Sequence, residues 1–96
     1  MTQKSIINKV SSLKQQAKEK YNAELKAVFG SVVTDAFKST SDIDILVKFS
    51  KEADLFNFVG LSLFLEDHLK HKVDVVPIDS LRQELKAKIL QQAVYL

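Results

Sequence analysis

The fold of this chain is decided by two short stretches separated by ten residues, Val28-Phe29-Gly30-Ser31 and Asp42-Ile43-Asp44-Ile45-Leu46-Val47. Polar and apolar residues alternate through the second stretch, which predicts a β-strand over residues 42–49 with one apolar face. Asp42 and Asp44 share the other face, where their Cα atoms lie about 7 Å apart at roughly 3.3 Å per residue.

Three carboxylates are the candidate metal ligands and catalytic groups. Asp42 and Asp44 can share a divalent cation, and Asp74 supplies a third oxygen ligand if its own strand lies beside theirs. Oxygen ligands without any cysteine favour magnesium or manganese over zinc. The sequence therefore predicts a hard-cation site at Asp42, Asp44 and Asp74.

Gly30 and Ser31 are the candidate nucleotide-binding pair. They follow a predicted strand at residues 25–29 and begin a predicted short helix at residues 31–37. Backbone N–H groups and a hydroxyl at such a helix N-terminus bind phosphate oxygens, and glycine lets a phosphate approach closely. An anchored triphosphate beside metal-binding carboxylates meets the needs of phosphoryl or nucleotidyl transfer.

Each of these motifs has a more ordinary explanation when it is taken alone. An Asp-x-Asp pair usually marks a strand start or a turn, and a Gly-Ser pair is normally just a turn. The fixed spacing between the two pairs is more informative. With each residue type at about one in fifteen to one in twenty, the four positions match by chance on the order of once per thousand such chains.

The apolar spacing along the whole chain predicts an α/β (α+β) fold, with a small mixed three-stranded sheet flanked by helices. The predicted helices are residues 6–21, 31–37, 53–70 and 80–94, and the predicted strands are residues 25–29, 42–49 and 73–76. Asp79 is the expected N-cap of the last helix. We expect one domain over residues 1–96, made of an N-terminal helix (1–21) and a motif-bearing core (24–96).

Composition narrows the class of protein. There is no cysteine, no signal peptide and no apolar run long enough to span a bilayer, so a soluble cytoplasmic protein without a membrane partner is expected. The net charge is only +2 and the lysines are dispersed, which argues against general nucleic-acid binding. Arg82 is the only arginine among 14 cationic residues, so bidentate phosphate clamps are scarce.

The two opening stretches resemble the signature of the polymerase beta nucleotidyltransferase superfamily. Several later segments are similar to the small MNT-type bacterial members of that superfamily. These segments are Asp54-Leu55-Phe56, Leu69, Lys72-Val73-Asp74-Val75-Val76, Ile89-Leu90 and Ala93-Val94-Tyr95-Leu96. The resemblance covers roughly residues 24–96 and implies the polymerase beta-like nucleotidyltransferase fold.

The resemblance also implies a role for each candidate residue. Gly30 and Ser31 would hold a nucleoside triphosphate, Asp42 and Asp44 would bind magnesium ions, and Asp74 would help to activate the attacking hydroxyl. Proteins that resemble this one commonly act as antitoxins to HEPN-domain toxins, and some transfer AMP from ATP to a toxin tyrosine. A magnesium-dependent nucleotidyltransferase with ATP as donor and a HEPN-type partner is therefore the leading expectation.

One departure from the family pattern concerns the residues after the Gly-Ser pair. The family places an arginine where this chain has Thr34, and Asp35 adds a negative charge close to the expected phosphate position. Three explanations remain open: Lys38 or Lys48 substitutes for the arginine, a partner supplies the cation, or catalysis is weak.

Two other functions compete with the leading one. The first is a catalytically weak or inactive binding module that neutralises a partner by contact, with a homodimer also left open. The second is a subunit of a larger nucleic-acid polymerase, which the lack of a basic stripe disfavours.

For two histidines, two phenylalanines and one tyrosine, the sequence predicts structural positions rather than roles in the candidate site. His68 and His71 are expected to be surface residues at a helix end rather than metal ligands. Phe56 and Phe58 cannot both face inward fully, so one of them is expected on a partner surface. Tyr95 is expected to pack near the chain end, where it could also be modified.

Overall fold

The computed structural model describes residues 2–96 as four helices and four strands. In chain order these are α1 (Gln3–Ser12), α2 (Lys14–Tyr21), β1 (Ala23–Phe29), β2 (Ile43–Phe49), α3 (Leu55–Leu69), β3 (Val73–Pro77), α4 (Gln83–Gln92) and β4 (Val94–Tyr95). Single turns of 3-10 helix follow β1 (Gly30–Val32) and β3 (Ile78–Ser80). Met1, the first residue of the predicted N-terminal helix region, lies outside the described residues.

The strands form one mixed sheet in the order β3-β2-β1-β4. Strands β1 and β2 are antiparallel, β2 and β3 are parallel, and β4 pairs antiparallel with β1. The predicted mixed sheet is confirmed, but it has four strands rather than three. Residues 94–95 were expected to end or follow the last helix, whereas Val94 and Tyr95 pair with Val28 and Ala27 along the free edge of β1.

The main core lies between the sheet and the first three helices. It is built from alternate strand residues and from one face of each helix. Its fully buried members include Ile6, Val10, Leu25, Val28, Ile43, Ile45, Val47, Leu61 and Leu65. The apolar face predicted for residues 42–49 is therefore the face that packs against the helices.

The predicted single helix at residues 6–21 is divided into α1 and α2 at Leu13. The Ser12 hydroxyl donates to the Lys9 carbonyl at 2.6 Å, and this carbonyl is the one that the Leu13 N–H would use in a continuous α-helix. The Leu13 N–H donates to Val10 O instead, at 3.0 Å. The predicted apolar face of residues 6–21 nevertheless continues across the break, because Leu13 and Ala17 are both buried.

The predicted helix at residues 31–37 is wrong. Only the 3-10 turn Gly30–Val32 forms, and Asp35 then adopts a left-handed backbone with φ 60°. Three consecutive β-branched residues, at positions 32–34, oppose helix continuation because their χ1 angles are restricted in a helix. The chain reaches β2 through an irregular segment instead.

Helix α3 has one buried face and one exposed apolar face. Asp54 caps its N-terminus, where its side chain accepts from Asn57 N at 3.0 Å and Asn57 Oδ1 accepts from Asp54 N in return. Sequence periodicity predicted a well-buried helix, and that is wrong for four of its nine apolar residues. The exposed ones are Leu55, Phe56, Val59 and Leu63.

Helix α4 is shorter than predicted and lies on the periphery, since none of its residues is fully buried. Asp79 is not its N-cap, because Asp79 lies in the preceding 3-10 turn and α4 begins after Arg82 without a side-chain cap. Among the helices of residues 2–96, none combines the length and the apolar character needed to cross a membrane.

Candidate functional site

The predicted carboxylates lie at the end of the sheet where β1 finishes and β2 and β3 begin. Asp44 is flanked by Phe29 of β1 on one side and by Asp74 of β3 on the other. Asp42 immediately precedes β2. The parallel register of β2 and β3 therefore brings together two aspartates that are thirty residues apart in sequence.

Asp44 is the electrostatic centre of this cluster. Partial burial, together with the negative charges of Asp74 and Asp42, raises the pKa of Asp44 from 3.8 to about 6. Asp44 has no cationic partner within the described residues to offset these effects. A carboxylate whose charge is disfavoured in this way is typical of a functional site.

Gly30 lies directly against the Asp44 carboxylate. It adopts φ 76°, which glycine tolerates and other residues rarely do. A Cβ atom at this position would lie 3.1 Å from Cγ of Asp44 and would overlap its Oδ2. Glycine is therefore required here both by the backbone and by the close approach of the Gly-Ser turn to the carboxylate.

The aspartates fit a hard divalent cation by their chemistry. In the described part of the chain, no group of three acidic, histidine or cysteine side chains is already arranged to hold a metal ion. The donors are all carboxylate oxygens, however, and a bound cation would offset the negative charges of Asp74 and Asp42, which add to burial in raising the pKa of Asp44. These residues suit magnesium better than zinc.

The phosphate half of the predicted site is weaker than the carboxylate half. Ser31 is half-buried in the 3-10 turn, and its carbonyl accepts from Ala36 N at 3.2 Å. A single turn of 3-10 helix lacks the aligned peptide dipoles of the predicted α-helix, so anion binding here relies on individual N–H groups.

The two lysines proposed as substitutes for the missing arginine lie in different places. Lys48 is opposite Glu24 at the far end of β2 and lines a cavity there with Lys18, away from Asp44. Lys38 is exposed in the loop that leads directly to Asp42, where its backbone N–H donates to Ser41 Oγ at 3.1 Å. Of the two, only Lys38 belongs to a segment that joins the carboxylate end of the sheet.

Sequence reasoning missed the contribution of His71. Its Nε2 contacts the Ser41 carbonyl, immediately before Asp42, and its ring lies 5.1 Å from that of Phe37. His71 does follow the end of α3 as expected, but it is half-buried rather than a surface residue. Its position three residues before Asp74 was the only sequence signal that could have drawn attention to it.

Comparison with known proteins agrees with this geometry. Residues 10–96 match the nucleotidyltransferase domain family. The chain is 33% identical over 95 residues to the protein adenylyltransferase MntA of Thermococcus cleftensis, with 99% of this chain and 96% of that protein covered.

Two solved structures have similar folds. One, provisionally named a minimal nucleotidyltransferase, is 28% identical with a TM-score of 0.84, and the match covers 100% of this chain and 97% of that one. The other belongs to a complex of a tri-AMPylated Shewanella oneidensis HEPN toxin with an MNT antitoxin. It is 26% identical with a TM-score of 0.68, over 98% of this chain and 71% of that one.

The family match includes β1 with its Gly-Ser turn, β2 with its aspartates and β3 with Asp74. The resemblance read from the sequence and the expected fold are both confirmed. The chain is a nucleotidyltransferase and belongs to the nucleotidyltransferase domain family.

Proposed function

We propose that this protein is a magnesium-dependent adenylyltransferase that transfers AMP from ATP to a tyrosine hydroxyl of a HEPN-type toxin and thereby acts as an antitoxin. The observation that carries the proposal is the position of Asp44, against Gly30 and beside Asp74. The similarity to MntA and to a complex containing an AMPylated toxin supports the choice of reaction and partner.

Asp42 and Asp44 would hold magnesium, with Asp74 as the third oxygen donor. When bound, magnesium would neutralise the charge that develops on the phosphate oxygens. Gly30 would let the triphosphate approach the backbone, and Ser31 would offer its hydroxyl and N–H to phosphate oxygens. Lys38 is the cation of this chain that could partly replace the missing arginine, because its loop leads into Asp42.

The transfer exchanges one phosphorus–oxygen bond for another. The acceptor oxygen attacks the α-phosphorus of ATP, the bond from that phosphorus to the bridging oxygen breaks, and pyrophosphate leaves. The hydroxyl proton passes to a carboxylate, for which Asp74 is suited because its side chain is exposed at the start of β3.

Asp44→Asn tests the proposed reaction. Transfer of label from α-labelled ATP to the toxin should require magnesium and should fall at least 100-fold in this variant, since removal of an ionic metal ligand weakens charge stabilisation. Asp67→Asn is the matched control, because Asp67 is an exposed residue of α3 that pairs with Lys70. Labelling by Asp44→Asn at the wild-type rate would refute the assignment.

Neutralisation of the partner by contact is a second candidate function. It is favoured by the exposed apolar face of α3, where Phe56 is 86% and Leu55 is 74% exposed. A contiguous apolar patch of this kind is typical of a protein-binding surface. We propose that this face of α3 binds the toxin, as an antitoxin that acts by contact would need.

Two variants separate contact from catalysis. Phe56→Asp should weaken co-purification with the toxin, whereas Asp44→Asn should leave it intact. If Asp44→Asn still protects cells from the toxin while Phe56→Asp does not, contact is sufficient. Retained toxin binding by Phe56→Asp, together with loss of self-association, would assign this face of α3 to a homodimer instead.

A further inference from the structure

The loop of residues 37–41, which leads into Asp42, is held in place by His71. Within the loop, Ser41 N donates to Lys38 O at 2.9 Å and Lys38 N donates to Ser41 Oγ at 3.1 Å, which closes a tight turn. His71 Nε2 contacts the Ser41 carbonyl, and the Phe37 ring packs on the imidazole at 5.1 Å. Both ends of the loop thus contact one side chain.

The same segment fixes the other side of Asp42. The Ile43 N–H donates to the Lys72 carbonyl at 2.9 Å. The residues before and after Asp42 are therefore bonded to His71 and Lys72 respectively. Because Asp74 follows two residues later, this segment sets the position of Asp42 relative to Asp74.

We propose that His71 is a positioning residue that orders the 37–41 loop and so holds Asp42 for binding of a divalent cation with its nucleotide, an inference that rests on the proposed function. A carbonyl oxygen can only accept, so the Nε2 atom facing Ser41 carries the proton. Phe37 packs against the core and residues 38–40 are exposed, so the Ser41 end of the loop is tied to the segment before β3 through His71.

Loss of the His71 contact is expected to weaken metal binding substantially, because Asp42 lies outside the regular strand. Residues 36–42 have no helical or strand bonding of their own, so the carboxylate position depends on contacts such as that of His71. Loss of a group that orients a metal ligand typically lowers metal affinity or activity by about 10–100-fold.

His68 provides a matched control in the same chain. It is also half-buried, its Nδ1 lies 2.9 Å from Phe64 O, and its ring packs on that of Phe64 at 4.3 Å. It makes the same two kinds of contact as His71, but within α3. A general effect of losing a packed histidine should therefore appear in both variants.

The experiment measures the dissociation constant of ATP in the presence of magnesium for His71→Ala, His71→Phe, His71→Gln and His68→Ala. Phenylalanine keeps the ring without a donor, whereas glutamine keeps an N–H donor without the ring. We expect 10–100-fold weaker binding for alanine and phenylalanine, and binding within about threefold of wild type for glutamine and for His68→Ala. Hydrogen exchange at residues 37–43 in the metal-free protein should increase in the same two weakened variants.

Three results would overturn the inference, and they are distinguishable. If wild type binds ATP with magnesium and His71→Ala and His71→Phe bind equally well, the positioning role is wrong while the proposed function stands. If wild type binds no ATP with magnesium, the proposed function fails and the role of His71 fails with it. Equal weakening by His71→Ala and His68→Ala would also reject a specific role.

Discussion

At Asp44, a carboxylate is kept where burial and two neighbouring aspartates oppose its charge. Asparagine or a hydrophobic residue would give a more stable fold at this position, since an uncompensated charge in a partly buried site is destabilising. The presence of an aspartate between Phe29 and Asp74 is explained if a bound cation completes the site.

The raised pKa of Asp44 makes a prediction about stability. Because its pKa rises from 3.8 to about 6 on folding, the folded chain binds this proton more tightly than the unfolded chain does. The contribution of Asp44 to stability is therefore lost as the pH rises from 3.8 to about 6. In metal-free buffer, Asp44→Asn should be more stable than wild type at pH 7.5.

Denaturant unfolding at pH 3.5 and pH 7.5, with a chelator present, checks this prediction. The advantage of Asp44→Asn should disappear at the lower pH, where wild-type Asp44 is protonated. Asp67→Asn should show no comparable pH-dependent gain, because Asp67 is exposed. A destabilised Asp44→Asn at pH 7.5 would contradict the sign of the argument.

Gly30→Ala should damage both stability and nucleotide binding. The left-handed φ costs an alanine about 1–2 kcal/mol, and the new Cβ displaces the Asp44 carboxylate. Denaturant unfolding and ATP binding with magnesium measure the two effects. A Gly30→Ala variant with wild-type stability and affinity would show that the close approach to Asp44 is unimportant.

Thr34→Arg should strengthen nucleotide binding. Thr34 is exposed shortly after the Gly-Ser turn, at the position where the resemblance to the superfamily implies an arginine. A charge-assisted hydrogen bond contributes about 1.5–3 kcal/mol, so the KM for ATP should fall roughly tenfold or more. Ser50→Arg adds the same charge to an exposed position just after the far end of β2 and serves as the control. An unchanged KM for Thr34→Arg would indicate that the phosphates lie elsewhere.

The candidate catalytic and metal-binding residues could be predicted from the sequence more easily than the residues and contacts that hold them in position. Asp42, Asp44 and Asp74 stand out because charged residues interrupt β-branched runs, and local spacing gives their faces. His71 and the contact between Gly30 and Asp44 depend on how distant segments meet. Local periodicity contains no information about such contacts.

Among the elements, α3 has two apolar faces with different roles. Leu61 is completely buried, whereas Leu63, two residues along the same helix, is 62% exposed. Leu61→Ala should cost about 3–5 kcal/mol, and Leu63→Ala should change the free energy of unfolding by less than about 0.5 kcal/mol. Denaturant unfolding measures both, and similar costs would mean that the exposed face is covered in the isolated protein.

Element types were predictable from periodicity, but helix ends and partial burial were not. In β2 the predicted apolar face is buried at Ile43, Ile45 and Val47, but Leu46 on the opposite face is fully buried as well. In α3, apolar residues occur all round the helix, so the sequence gives no direction for the core. The break at Leu13 coincides with a hydrogen bond from one serine hydroxyl to the Lys9 carbonyl, which a search for periodic apolar residues does not register.

At the scale of the whole molecule, the sheet is completed by a very short strand. β4 contributes two residues to the edge of β1, and Leu96 adds a hydrogen bond from its N–H to Lys26 O at 3.0 Å. Strand propensity alone could not identify such a pairing, because two residues give no period. The sheet therefore has one more strand than the sequence indicated.

Deletion of residues 94–96 should expose the edge of β1. Lost hydrogen bonds and uncovered apolar surface should lower the free energy of unfolding by roughly 2–4 kcal/mol. An unpaired strand edge also favours association between chains. Denaturant unfolding and light scattering check the two effects. A monomeric, fully stable deletion variant would show that β4 is dispensable.

The parallel pairing of β2 and β3 also makes the site a test of correct folding. Because side chains alternate between the two faces of a strand, a slip of β3 by one residue would send Asp74 to the opposite face from Asp44. A misregistered chain would then hold its cation with one ligand fewer. Metal-dependent ATP binding could thus measure the fraction of molecules in a preparation in which β3 pairs with β2 in the native register.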